Sequence, residues 1–273
     1  MEAVQNEEVR MNEGMRQKKG ISGSTLKLIA IVTMFIDHTG AAILGRFMME
    51  KGFMEISNSY DVNAMIVWMQ ENGTLYWVYM AMRMIGRVAF PIFCFLLVEG
   101  FQKTSNVGKY AMRLGMFALI SEIPFDLAFK ASWMDFSYQN VFFTLFMGLL
   151  TMIAVDYVNK MSLHKVLKVI ASGAAIAAGA AIAEFMNTDY GAIGVLCIMA
   201  LYVFRKKKVW QIVAGCLAFV WEFTAPLAFI PIGFYNGKRG LKLKYVFYAF
   251  YPVHLLVLYL ICVILGIHGY SVL

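Results

Sequence analysis

Charge is what this sequence has least of. Only 15% of its 273 residues are Asp, Glu, Lys or Arg, while 60% are hydrophobic; a soluble domain carries about 25% charged residues. An ordinary water-soluble globule is excluded. Cysteine is sparse: Cys94, Cys197, Cys216 and Cys262 sit singly in apolar runs, without Cys or His at ligand spacing. That pattern points to no disulfide framework and no metal site, and free Cys acts there as a small hydrophobe. There is no Gly-rich phosphate loop of the Walker or dinucleotide type and no Gly-x-Ser-x-Gly elbow, which sets aside ATPase and α/β-hydrolase chemistry. No apolar stretch lies near Met1, so no cleavable signal peptide is expected. The net charge of +7 reads as loop charge that orients a membrane protein, not as a nucleic-acid footprint.

What the chain does have is long apolar runs. A crossing needs about 20 mostly apolar residues, and runs of that kind fall at 25–46, 75–98, 109–127, 140–157, 166–183, 189–204 and 245–266. The segment 209–235 fits one tilted span, or two half-helices broken near Pro226 and Pro231. The expected fold is all-α: a polytopic transmembrane bundle of about eight or nine helices over 25–273, preceded by a polar tail at 1–24. With the tail cytoplasmic, Lys103, Lys109, Lys160, Lys165, Lys168 and the basic run 205–208 all fall inside, and the outer loops keep only Arg46, Lys51 and Lys130. A hairpin at 209–235 also brings the cluster 238–244 inside, so the charge asymmetry favours the hairpin and an outside C-terminus. A short interfacial helix is expected at 63–70, and tight helix packing around Gly173 and Gly179.

Ionisable side chains inside spans are costly and are functional candidates by default. The first span holds Asp37 and His38, the second Arg83 and Arg87, the third Arg113, Glu122 and Asp126, and the last His254. From the start of each span, His38 and Glu122 lie about 20 Å deep, Arg87 about 18 Å and His254 about 14 Å. Four helices therefore bring polar groups to mid-bilayer, which predicts a shared pocket. Arg83 and Arg87 share a face, as do Glu122 and Asp126. Asp37 and His38 diverge by about 100° around their helix, so Asp37 is expected to meet an arginine of a neighbouring helix. A structural ion-pair network of these arginines with Glu122 and Asp126 fits as well as a catalytic role. Asn140 and Thr144, four apart, fit pocket lining or a helix–helix hydrogen bond.

Such a pocket meets the needs of acyl transfer: neutral His is the usual base near pH 7, and an Arg at the same depth serves the oxyanion or a donor's phosphates. A polyanionic acyl-CoA would require cations at the inner mouth, for which Lys27, Lys103, Lys109, Lys242 and Lys244 are candidates, with Arg83 a further donor-binding candidate at depth. Here a resemblance enters. Thr25-Leu26-Lys27-Leu28-Ile29-Ala30 with Met34-Phe35-Ile36-Asp37-His38-Thr39-Gly40 resembles the opening of the TraX family. The segments Arg83-Met84-Ile85-Gly86-Arg87, Ser121-Glu122-Ile123-Pro124-Phe125-Asp126, Asn140-Val141-Phe142-Phe143-Thr144, Tyr235-Asn236-Gly237-Lys238-Arg239-Gly240 and Tyr251-Pro252-Val253-His254-Leu255 continue it in order.

The resemblance implies a multi-pass cell-membrane acetyltransferase that uses acetyl-CoA and no metal; TraX acetylates the N-terminus of pilin. It is similar to the acyltransferase-3 group, where an Arg precedes the first-span His by eleven positions; here that position is Lys27, a point charge and not a bidentate fork. The expected catalytic set is His38, Asp37, Arg87 and His254, with either histidine as base, and Glu122, Asp126, Asn140 and Thr144 lining the substrate pocket. The acceptor stays open among a pilin-like peptide, a glycan, a lipid and a small amine. A transporter with a central polar site is the competing reading, although its usual internal repeat is missing.

Overall fold

The computed structural model describes residues 20–241, 244–267 and 269, with Lys244 described by its backbone. Most of the polar tail and Lys242 lie outside the described residues.

Helix α1 (Gly23–Thr39) begins where Ser22 Oγ accepts from the Thr25 amide at 3.3 Å. It runs through a π-helical turn (Gly40–Leu44) into α2 (Gly45–Glu50). After α3 (Phe53–Ser59), helix α4 (Val62–Gly86) starts on Asp61, whose carboxylate accepts from the amides of Asn63 and Ala64. The expected helix at 63–70 is the first part of α4, not a separate element. Helix α5 (Ala89–Lys103) follows after two residues. Together α4 and α5 form an apolar run of 42 residues, about 63 Å if straight, twice the hydrocarbon thickness. The run breaks at Arg87 and Val88, within the expected single span 75–98. Pro91 has no N–H to give to the carbonyl of Arg87, and its ring crowds that carbonyl.

Helix α6 (Val107–Lys130) is capped by the side chain of Asn106, and α7 (Val141–Lys160) by that of Asn140. Then come α8 (Lys165–Phe185), α9 (Gly191–Val203) and α10 (Lys208–Ala218). A 3₁₀ turn (Ala225–Ala228) and α11 (Phe229–Gly233) lead to α12 (Lys244–Ile264). Among the described residues, five stretches are long and apolar enough to cross a membrane: Gly23–Glu50, Val62–Lys103, Val141–Lys160, Lys165–Phe185 and Tyr245–Ile264. The chain is an all-α, polytopic membrane protein.

The segment 209–235 is a broken hairpin. Helix α10 spans about 16 Å at its rise per residue, then breaks at 219–224, ahead of both prolines. Its return is fixed by Lys208, whose Nζ donates to the carbonyls of Gly233 and Tyr235 at 2.7 and 2.8 Å. The next residues cap α1: Gly23 N donates to Lys238 O at 2.8 Å and Ser24 N to Arg239 O at 3.0 Å. Lys103, at the end of α5, donates to Tyr235 Oη and Gly237 O. These contacts define a near end of the bundle, where α1 starts. At the far end, residues 139 and 188 pair as an isolated bridge.

Arg46, expected as an outer-loop charge, is 1% exposed. Its guanidinium donates to the carbonyls of Leu127 and Ala128 at 2.8 and 2.9 Å, so a cation answers the negative end of α6. The main core joins α1, α5, α6, α7, α9 and α12. Helix α8 is peripheral, its Val169 and Ile170 exposed. Close packing there holds at Gly179, where a Cβ would lie 2.0 Å from Thr151 Oγ1, but not at Gly173, which has no neighbour within 4 Å.

The near and far ends should be separable by labelling. In a variant without its four native cysteines, single cysteines at Ser105 and Lys238 should react from one side of the membrane, and those at Trp133 and Phe185 from the other. Reaction of Lys238 and Trp133 positions from the same side would refute the hairpin.

Candidate active site

The site is built where α1 and α4 come unusually close. A Cβ at Gly86 would lie 2.1 Å from Asp37 Cβ, and one at Gly40 would lie 2.9 Å from Met82 Cβ. Small residues permit this approach. It lets Asp37 Oδ2 accept from Arg83 at 2.8 Å, the pairing across helices expected from the divergence of Asp37 and His38. Arg87, at the break before α5, pairs at 3.2 Å with Glu222, which sits in the break of the hairpin. Thr224 ties the two breaks together by donating to Met84 O at 2.6 Å.

His38 and His254 meet. His38 Nδ1 lies 2.7 Å from His254 Nε2, with the rings 12° from coplanar. His254 Nδ1 lies 2.8 Å from the carbonyl of Phe250. Phe129 and Tyr251 hold the His38 ring edge-on.

Two cavities open from opposite ends of the bundle. The near one, of about 470 Å³, is lined by Lys27, Lys103, Arg113 and Arg239 against one carboxylate, Glu99, with Tyr110, Tyr235, Phe247 and Tyr248 among its walls. The far one, of about 520 Å³, places Arg83 and Arg87 among the carboxylates Asp37, Glu184, Asp189 and Glu222, with His38, Tyr138, Tyr190 and Trp221. Both volumes suit small-molecule sites, which run to about 300–1,000 Å³. Met34, Phe93 and Val141 line both cavities, so a thin apolar partition separates a basic chamber from a mixed, carboxylate-rich one.

The other expected site residues divide. Glu122, Asp126, Asn140 and Thr144 are buried but line neither cavity. Glu122 accepts from the backbone and side-chain nitrogens of Asn140. Asp126 pairs with Lys130 at 3.3 Å and accepts from the Asp135 amide. Thr144 bonds to Thr188 and to the carbonyl of Asp189. No bond joins these carboxylates to Arg83 or Arg87, so the four residues build the wall behind the far cavity and not its surface. Lys27 lines the near cavity, 5.2 Å from the Phe247 ring centre. Lys103 lines it too, but is held by Glu99 at 2.6 Å as well as by Tyr235 and Gly237. Lys109 is exposed and lines neither cavity. The Lys242 position and the Lys244 side chain lie outside the described residues.

Sequence reasoning missed Arg113 and Arg239 as lining of the near cavity, and Asp189, Tyr190, Trp221 and Glu222 as lining of the far one. Glu222 had a signal: it is the one carboxylate in the apolar stretch 209–235, and an ionisable group in such a stretch is a candidate by default.

The family model of the TraX protein matches residues 22–262, most of the chain and every element that builds the two cavities. The chain belongs to the TraX family. It is also 27% identical, over 89% of its own length and 97% of the relative's, to a probable fimbrial assembly protein, FimC of serogroup H1, from Dichelobacter nodosus. No solved structure matches.

The close approach of α1 to α4 gives a direct test. Gly86→Ala should cost about 1–3 kcal/mol by overpacking, read as a lower thermal midpoint in detergent. An unchanged midpoint would mean that the helices separate freely and that the Asp37–Arg83 pair is not held by this contact.

Proposed function

We propose that this chain is a membrane acyltransferase that moves an acetyl group from cytoplasmic acetyl-CoA to an amine or hydroxyl acceptor. The observation that carries the reading is His38: it faces the far cavity one apolar partition away from a chamber where four cations surround one carboxylate. The basic chamber suits the phosphates of CoA. Lys27, Arg113 and Arg239 are its binding groups; Lys103, already held by three partners, shapes the wall. The thioester end would reach past Met34, Phe93 and Val141 to His38.

His38 then acts as general base. It takes the proton of the acceptor N–H or O–H as that atom attacks the thioester carbonyl. The tetrahedral intermediate carries an oxyanion, for which Arg87, with 31% of its side chain exposed, is the preorganised donor in a water-poor site. The intermediate collapses with loss of the CoA thiolate, which takes the proton back from His38. Asp37 acts indirectly, by orienting Arg83.

The far cavity is the acceptor chamber. Its lining carboxylates, Asp37, Glu184, Asp189 and Glu222, suit the N–H groups of an amine. The family, associated with pilin acetylation, and the relative named for fimbrial assembly both favour a pilin-like peptide as acceptor. The near end carries Lys160, Lys165, Lys168 and the run 205–208, and is therefore the cytoplasmic end. On this reading α6 also crosses, its charged residues turned to the bundle, and the hairpin of α10 and α11 brings the bundle to about eight or nine membrane helices.

Chambers that open at both ends also suit a transporter, and turnover separates the two readings. Purified protein in detergent should release CoA from acetyl-CoA in the presence of a pilin-like peptide. His38→Ala should lower kcat by about 10²–10⁴-fold, the contribution of a general base, with acetyl-CoA binding retained. Wild-type turnover in His38→Ala would remove that residue from the mechanism, and no CoA release with any amine or hydroxyl acceptor would leave the transporter. On the donor side, Lys27→Ala should raise KM for acetyl-CoA more than it lowers kcat, and Lys27→Arg should retain most activity. An unchanged dependence on acetyl-CoA in Lys27→Ala would refute its assignment.

A further inference from the structure

We propose that His254 is a positioning residue that sets the tautomer of His38, leaving the Nε2 lone pair of His38 free in the far cavity. The role of that lone pair in turnover rests on the acyl-transfer reading; the tautomer does not.

The carbonyl of Phe250 fixes the first proton of the pair. A carbonyl only accepts hydrogen bonds, so His254 Nδ1, 2.8 Å away, carries a hydrogen. If His254 is neutral, its Nε2 is then an acceptor. His38 Nδ1, 2.7 Å from that nitrogen, must be the donor. The near-coplanar rings allow the N–H to point along the lone pair of its partner. In a neutral imidazole the second nitrogen is then unprotonated, so His38 Nε2 is left with a lone pair.

The reverse order fails on charge. Were His254 Nε2 the donor, both nitrogens of His254 would carry hydrogens and the ring would be a cation. His254 is only 4% exposed. Its ring is packed against Phe35, Phe250 and Tyr251. Among the described residues no carboxylate is hydrogen-bonded to either histidine. An unpaired cation in such surroundings costs several kcal/mol, so the neutral chain of donors is the stable one.

The same geometry separates the roles of the two histidines. His38 lines the far cavity and His254 lines neither. Both nitrogens of His254 are engaged, one by a backbone carbonyl and one by His38. It has no lone pair to offer an acceptor and no access to one. This is the logic by which a hydrogen bond to one imidazole nitrogen decides the state of the other, with a second imidazole in the place that a carboxylate or carbonyl commonly fills.

The test reads protonation directly. The chain has four histidines, His38, His164, His254 and His268, so a ¹⁵N-histidine NMR spectrum of the whole protein in detergent can be assigned by single substitutions. In the wild type, His38 should show a protonated Nδ1 and a bare Nε2. In His254→Ala that preference should be lost, and kcat should fall about 10–100-fold, as when a group that orients an imidazole is removed, with KM for acetyl-CoA unchanged. In His254→Gln, whose side-chain oxygen can accept from His38 Nδ1, the wild-type tautomer and part of kcat should return. A protonated Nε2 on wild-type His38 would overturn the proposal outright. So would a wild-type tautomer with wild-type kcat in His254→Ala. If the Ala variant does not fold, the wild-type and Gln spectra decide. The spectra need no turnover, so a silent activity assay would count against acyl transfer and leave the tautomer result standing.

Discussion

An ionised group in hydrocarbon must find a partner, and the rest of this structure follows from how each one does so. Asp37 finds Arg83 on α4, Arg87 finds Glu222 in the hairpin, Asp126 finds Lys130 one turn along its own helix, and Arg46 finds the carbonyl end of α6. The first pair fixes α1 against α4. The second pins the hairpin break to the break between α4 and α5. The fourth ties α2 to α6. Helix contacts among apolar side chains are exchangeable with lipid; these are not, and they set which helices are neighbours.

The two broken helices belong to the same arrangement. Irregular backbone is tolerated at membrane depth only where protein or a cavity shields it. Here the break before α5 and the break after α10 lie against each other at the wall of the far cavity, joined by Thr224 and by the Arg87–Glu222 pair. Each break thus gives the other polar company. The aromatic stack of Phe90 on Tyr190, 3.8 Å between centroids, closes the side of the chamber with rings and leaves the charged groups on its other walls.

Much of this was legible in the sequence, and what was not has identifiable causes. Depth along a helix is simple arithmetic, so the convergence of Asp37, His38, Arg83, Arg87 and His254 was foreseeable. Depth says nothing of rotation about the helix axis relative to a neighbour, and rotation decides which partners Glu122 and Asp126 meet. They reach the right level, but Asn140 and Lys130 capture them. Glu222 was missed because a hairpin turned at half depth puts its middle, not its end, at the bilayer centre. Pro91 marked the kink at Arg87, yet an apolar run reads straight through a proline when hydropathy alone sets the span. The donor cations suffered from a different limit. Lys109 and Lys103 have the right charge at the right end, but only packing decides that one points away and the other is already held.

The π-helical turn Gly40–Leu44 lies between His38 and Arg46. A π turn holds one residue more than an α turn would, so it resets the angular phase of everything beyond it. His38 addresses α12 and Arg46 addresses α6, two directions that this reset makes compatible on one continuous rod. A connection that caps no helix can absorb a residue gained or lost, because its ends are pinned elsewhere. This turn cannot: a one-residue deletion would swing Arg46 by about 100° away from the carbonyls it closes. Chain length is therefore under tighter constraint in this apolar, chemically bland stretch than in the charged connections around it.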